Sequence, residues 1–351
     1  MPDYAPLHKN PKGPGDQRPT AMQIVENENL VGNMKDKVRR APASLSVDET
    51  VANMCIRQVF LVTGASAGIG VETARALAAT GGKVYLAVRN LAKAEKACGD
   101  FLEPGRVELL EADTSSQASV RAAAAAFLAR ESRLNVLVCN AGVMSIPTRE
   151  VTADGFETQL AVNYLGHFLL FHLLRDALLA GSTPEFRSRL VHVSSSSHHV
   201  GEIHFDDFQL AGPGAYGANE AYGQSKLAQI YHANWVDRHL GPRGLHATSL
   251  MPGGIMTDLQ RYIPAETKES WKTDDHIQGF LKSEAQGAAT TVYAAVSADW
   301  EGRGGKYLED CRVATAEPFV HYTVGCMPFI YDEEKEDRLY QHTMKLLGLD
   351  S

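Results

Sequence analysis

Five cysteines in 351 residues, Cys55, Cys98, Cys139, Cys311 and Cys326, are too few and too scattered for a disulfide scaffold. Their number is odd and no Cys-x-x-Cys pair occurs. A structural zinc site is therefore not expected, and a reducing, cytoplasmic setting is. Metal ligation by His192, His198 and His199 is not expected either, because no carboxylate or Cys is spaced to join them. The chain lacks a long apolar run. The strongest, Leu165 to Leu174, is interrupted by His167 and His172, which argues against a membrane span. The opening MPDYAPLHKNPKGPGDQRPT has no apolar segment of the secretory type. Basic residues are not in excess. A formal charge of -8 excludes a general binder of nucleic acid or acidic membrane. The cluster Lys35, Lys37, Arg39 and Arg40 is short, broken by Asp36, and reads as a solvated segment.

What the chain does have is 44% hydrophobic residues, enough for one sizeable core without staples. Residues 1–57 read as an N-terminal extension. Its first twenty or so residues, rich in Pro, Gly and Lys, are expected to be loose or disordered. A short helix is expected within Met22 to Met34. From Gln58 the pattern becomes regular: QVFLVT, KVYLAV, VELLEA, LNVLVC, RLVHVS and LHATSL are short apolar runs, and GGKYLE is a candidate seventh. Amphipathic stretches separate them, including a long one over Asp154 to Leu179 and another over Glu220 to Leu240. This alternation predicts an α/β fold over residues 58–351. It is a single Rossmann-type domain, a doubly wound parallel sheet of about seven strands with helices on both faces.

After the first run comes Thr63-Gly64-Ala65-Ser66-Ala67-Gly68-Ile69-Gly70. Glycines between a strand and a helix allow a tight turn and a close approach of backbone to a pyrophosphate, which the helix N-terminus attracts. The triplet alone also fits a plain strand-helix turn; its place after the first of an alternating series favours a dinucleotide. The second run ends in Arg89-Asn90, with no acidic residue to accept from a ribose 2′-hydroxyl. Arg89 suits a 2′-phosphate instead, which points to NADP(H) over NAD(H). Asp113 is placed either to meet an adenine amino group or to cap the following helix.

Tyr222 and Lys226 stand four residues apart, on one face of a helix. A nearby ammonium is expected to lower the tyrosine pKa, which suits a proton donor to a carbonyl oxygen. Such a pair is common on surface helices, so context decides. Ser194 to Ser197 end the fifth run, where a hydroxyl can meet a ligand at the carboxyl ends of the strands. Cys139-Asn140-Ala141-Gly142 ends the fourth. Asn163, inside the long helix, either holds a relay water or accommodates a kink.

These residues resemble, in order, the short-chain dehydrogenase/reductase family. The matching pieces are TGASAGIG, CNAG, VNYLG, VSSSS, YGQSK and PGGIMT, spread over about residues 56 to 310. The resemblance implies that Tyr222 is the acid/base, Lys226 its tuning lysine, Ser195 the orienting hydroxyl and Asn163 the relay asparagine. Ser194 remains an alternative to Ser195. It also implies that Gly64, Ser66, Gly68, Ile69 and Gly70 of the turn, Arg89, Asp113, Asn140, Gly142, Tyr222, Lys226, Pro252, Ile255 and Thr257 meet the cofactor, with Lys226 on the nicotinamide ribose. His198-His199-Val200-Gly201, and the 27 positions separating Ser195 from Tyr222, resemble the retinol-dehydrogenase and WW-domain-oxidoreductase branch and its fungal members.

Two features depart from the family pattern. Cys139 stands where an Asn is usual. Residues 39–58 separate NMKDKV, which resembles the lead-in to the first strand, from VFLVTG, and read as an inserted loop. A lid is expected at about 258–283, with Tyr262, Ile263, Trp271 and Phe280 facing a lipophilic, ring-bearing substrate or else packing on the sheet. The acidic stretch Asp332 to Asp337 is expected to start the last helix. The expected activity is NADPH-dependent interconversion of a carbonyl and an alcohol, by a protein that binds no nucleic acid and can form a homodimer. Rival readings are reduction of a carbon-carbon double bond and a silent NADP(H)-binding sensor or scaffold.

Overall fold

Unbroken burial along Val59–Thr63 marks a strand covered on both faces. The computed structural model describes residues 2–34, 37–38, 55–56, 58–316 and 324–349 and puts this strand inside an eight-stranded sheet. In chain order the strands are β1 (Lys37–Val38), β2 (Cys55–Ile56), β3 (Val59–Thr63), β4 (Lys83–Val88), β5 (Val107–Glu111), β6 (Val136–Cys139), β7 (Ser188–Val193), β8 (Leu245–Met251), β9 (Lys306–Glu309) and β10 (Arg312–Val313). The pair β1 and β2 is a separate antiparallel ribbon. The main sheet runs β10-β9-β8-β7-β6-β3-β4-β5, parallel except for β10. The seven expected strands are present, and β10 is an addition. It forms because Asp310 and Cys311 both take left-handed backbone (φ 50° and 55°) and turn the chain back on β9.

The helices are α1 (Ala21–Asn27), α2 (Ile69–Ala79), α3 (Leu91–Cys98), α4 (Gln117–Leu128), α5 (Thr158–Leu160), α6 (Gly166–Gly181), α7 (Ala218–Leu240), α8 (Ala265–Thr273), α9 (Asp275–Phe280), α10 (Glu284–Gly287), α11 (Ala289–Val296) and α12 (Glu333–Leu346). Alternate residues of β3 serve opposite faces. Phe60 and Val62 join the core under α1, α2 and α11; Val59 and Leu61 join the one under α4, α6 and α7. The acidic stretch behaves as expected: Asp332 caps α12 by accepting from the Lys335 amide at 3.1 Å.

The N-terminus departs from expectation. Its composition suggests a loose tail, yet residues 2–34 are packed down. Tyr4 is 2% exposed and meets the Tyr293 ring edge-on; Ile24 and Val25 of α1 are fully buried. A reciprocal Thr20–Gln23 box starts α1. A few buried anchors outweigh a polar, Pro-rich average. The segment read as an insertion lies mostly outside the described residues, although β1 and β2 bring its two ends together. Among the described residues no helix is long and apolar enough to cross a membrane, and no cluster of potential metal ligands occurs.

Four buried histidines sit within or beside the core. Burial lowers the pKa of His167 to about 4 and those of His198 and His232 to about 3, and pushes His192 well below its ordinary value. His192 Nε2 meets His232 Nδ1 at 3.0 Å. All four are therefore neutral in the fold at pH 5, whereas in the unfolded chain they protonate near 6.5. Stability is then complete above about pH 6.5 and is lost as pH falls towards the folded values, by up to about 1.4 kcal/mol per pH unit for each group. Urea midpoints should drop between pH 7 and pH 5. A flat profile would mean that these rings accept protons in place.

Candidate active site

The strand order reverses at β3, which lies between β4 and β6. In a doubly wound sheet that reversal opens a crevice at the carboxyl ends of the strands. A cavity of about 870 Å³ lies there. All the catalytic and cofactor-binding residues expected from sequence line it except Asn163.

The glycine turn forms one wall. Gly64 has φ +71°, and a Cβ there would come within 2.7 Å of Ala141 Cα. Gly68, at φ +60°, precedes α2 and leaves that helix without a side-chain cap. The first amides of α2 thus have no side-chain acceptor where Gly68, Ile69 and Gly70 line the cavity. Such a helix start fits a pyrophosphate. Asn140 ties this wall to β6: its Nδ2 donates to Thr63 O at 2.9 Å, and the amides of Asn140 and Ala141 donate to Thr63 Oγ1. Asn140 Oδ1 is left buried with no partner, an acceptor available at the cleft wall. Cys139, the residue that departs from the family pattern, is fully buried under the turn.

Arg89 is exposed at the end of β4 and faces the cavity. Asp113 also lines it. Its Oδ1 accepts from the amide and hydroxyl of Ser115 at 2.9 and 2.7 Å. The capping role belongs to its neighbour Ser116, which accepts from Ser119 N. Across the cleft, Thr257 packs on the turn: a Cβ on Gly68 would lie 3.2 Å from its methyl group. Pro252 and Ile255 line the floor beside it.

Tyr222 lies in the first turns of α7, buried, and lines the cavity together with Ser195. Ser195 Oγ accepts from the Ser197 amide at 3.1 Å. Ser194 turns away: its hydroxyl donates to Lys226 O at 2.8 Å. Of the two serines weighed from sequence, Ser194 thus has its hydroxyl engaged by the backbone of α7, and Ser195 does not. Lys226 Nζ donates to Val193 O at 2.9 Å and sits 5.5 Å from the Tyr222 ring centre.

The expected electrostatics are reversed. Burial pushes the Tyr222 hydroxyl up to about 12, against a downward pull from the Ser195 hydroxyl, and burial lowers Lys226 to about 7. Desolvation outweighs the lysine-tyrosine attraction that spacing suggests.

Asn163 occupies a π-helical segment, Ala161–Leu165, between α5 and α6. Its Oδ1 accepts from Val143 N at 2.8 Å, and its Nδ2 donates to Val143 O and Ser225 Oγ. Its own carbonyl meets His167 Nδ1 and Gln229 Nε2, both at 2.8 Å. Of the two roles open from sequence, holding the kinked helix against the loop after β6 is the one its contacts display.

The lid supplies Trp271, His276, Ile277, Phe280 and Leu281 to the cavity. Tyr262 does not join them; it is exposed, with Arg261 over its ring. Val143, Met144 and Lys93 also line the cavity without having been singled out. Val143 and Met144 directly follow the Cys139–Gly142 turn, which was the available signal. Lys93 had none, since its 2.7 Å pairing with Asp258 spans 165 residues.

Comparison with known proteins gives the family. The family model for short chain dehydrogenase matches residues 58–268. The short-chain dehydrogenase/reductase prx1 of Penicillium roqueforti is 48% identical over 347 residues, 99% of this chain and 95% of that protein. Human retinol dehydrogenase 11 is 41% identical over 260 residues, 73% of this chain and 78% of that one. Among solved structures, a short chain dehydrogenase from Burkholderia cenocepacia J2315 in complex with NADP superposes with a TM-score of 0.55. It is 23% identical and covers 72% of this chain and 95% of its own, a likeness of fold.

Proposed function

Because the chain belongs to the short-chain dehydrogenase/reductase family, we propose that it is an NADPH-dependent oxidoreductase interconverting a carbonyl and a secondary or primary alcohol on a lipophilic small molecule. The observation that carries this reading is the convergence of Ser195, Tyr222 and Lys226 on one cavity that the glycine turn also lines. The cofactor, when bound, exchanges a hydride with the substrate carbon.

The protein's own residues deal with the oxygen. A tyrosine held near pKa 12 is protonated at neutral pH, so Tyr222 is ready to donate to a carbonyl oxygen as charge develops there. Ser195 orients that oxygen. Buried Lys226 stands close enough to steady the phenolate left behind. In the opposite direction Tyr222 must first lose a proton against its burial, so the site favours reduction. Trp271, Ile277 and Phe280 provide apolar and aromatic surface, which suits a lipophilic substrate. The name of the human relative, retinol dehydrogenase 11, and the fungal source of the prx1 relative support such a substrate and a place in secondary metabolism.

Purified protein should oxidise NADPH with lipophilic aldehydes or ketones and yield the alcohol. Reduction confined to the double bond of enones, or no turnover across the panel, would overturn the reading. Cofactor choice rests on Arg89. Removing a charge-assisted contact costs about 1.5–3 kcal/mol, so Arg89→Ala should weaken NADPH binding by about 10- to 100-fold and leave NADH binding unchanged. Fluorescence titration of both cofactors checks this.

A further inference from the structure

We propose that residues 2–18 form a strap that holds the substrate lid in place, with Arg18 as its positioning residue. The inference rests on the reading of α8 and α9 as the roof of a substrate site.

The lid has little hold of its own. Neither α8 nor α9 contains a buried residue. Segments with so few buried contacts open readily unless something else holds them. What holds this one is its C-terminal end. Arg18 is 3% exposed, and its guanidinium donates to Phe280 O at 2.8 Å and to Leu281 O at 2.6 Å. These carbonyls end α9, where the last carbonyls of a helix lack backbone donors and favour a cation. The same guanidinium donates to Gly13 O at 3.0 Å and to Asp16 Oδ1 at 2.8 Å. Burial works against a charge on Asp16, but the Arg18 bond and the amides of Lys12 and Arg18 hold it down at about 2.

Further contacts fix the strap at both ends. Gln286 in α10 is almost wholly buried; its Nε2 donates to Asp16 O and Arg18 O, and its Oε1 accepts from Gly15 N at 2.9 Å. Gly13 lies directly against the lid, so that a Cβ there would stand 3.1 Å from Gln278 O. Nearer the start of the chain, His8 Nδ1 approaches Asp310 Oδ1 to 3.0 Å. Asp310 pairs with buried Lys282 at 2.6 Å, and Lys282 Nζ donates to Pro252 O at 3.3 Å. The strap therefore holds the lid end directly, at Phe280 and Leu281, and is linked to the cavity lining at Pro252 through Asp310 and Lys282.

The geometry makes Arg18 a determinant of substrate affinity although it touches no substrate. Hydrogen exchange of the full-length protein tests this without any ligand. In Arg18→Met, the amides of 276–283 should exchange at least about tenfold faster, while those of β3, β6 and β7 stay within about twofold. Arg18→Lys should recover part of the protection, since an ammonium can still reach one carbonyl. In turnover, Arg18→Met should raise KM for the carbonyl about tenfold and leave kcat and NADPH affinity nearly unchanged. Gln286→Met loosens the strap without stranding a charge and should shift exchange in the same direction, which covers the case in which Arg18→Met fails to fold.

Unchanged exchange at 276–283, or equal acceleration throughout the sheet, would overturn the strap. Faster lid exchange with an unchanged KM would remove its effect on the substrate. A parent protein that turns over no carbonyl would count against the proposed function, while exchange would still decide whether the strap holds the lid.

Discussion

Tyr222→Phe is expected to lower carbonyl turnover by about 10²–10⁴-fold, the usual worth of a positioned acid or base. The loss should fall on the chemical step. The ring of Tyr222 is packed at the start of α7 and stays, so stability and cofactor affinity should hold. Only the hydroxyl leaves, and Ser195 keeps its bond from the Ser197 amide. Single-turnover rates with saturating NADPH, alongside a cofactor titration, separate the two effects. A variant as fast as the parent would place the proton donor elsewhere. Because the tyrosine is held near pKa 12, the parent's reduction rate should show no tyrosine limb across the neutral range.

Gly70→Ala is expected to damage cofactor binding and folding together. An added Cβ would stand 2.4 Å from Gly64 O and 2.6 Å from Asn140 Nδ2. The first of these is backbone and cannot rotate aside, so α2 must move off the turn. Overpacking of this kind costs about 1–3 kcal/mol. Each amide-to-phosphate bond lost is worth about 1.5–3 kcal/mol, which is about a 10- to 100-fold weaker dinucleotide. Calorimetric titration and the melting temperature read both. Gly302→Ala is the control: its φ of +66° imposes strain, but nothing lies within 4 Å of the added carbon. It should lower stability by about 1–2 kcal/mol and leave cofactor affinity alone. Equal cofactor affinity in Gly70→Ala and the parent would show that the turn tolerates displacement.

The parts of this fold that were legible in the sequence are those encoded by neighbours along the chain. KVYLAV read as a covered strand because every position after Lys83 is apolar or aromatic, and each of these is buried in the sheet. The glycine turn was legible because it follows the first strand of an alternating series, where a dinucleotide binds. What escaped depends on partners far away. Arg18 looks like one charge in a polar tail until the carbonyls of Phe280 and Leu281, 262 and 263 residues away, are placed around it. The four-residue spacing of Tyr222 and Lys226 predicts their proximity correctly. It says nothing of how deeply both are buried, and burial sets the direction of both pKa shifts. Ser195 and Ser194 cannot be told apart by pattern, since the choice is made by the Lys226 carbonyl, which takes the Ser194 hydroxyl.

The absence of any buried residue in α8 and α9 has a consequence for how such a protein changes over generations. Substitutions at exposed positions typically shift stability by no more than about 0.5 kcal/mol. The surface that meets the substrate can therefore drift through many sequences while the sheet, the glycine turn and Tyr222 are left untouched. New substrates become reachable by single steps that never pass through an unfolded intermediate. A library confined to residues 265–280 is the natural place to search for them.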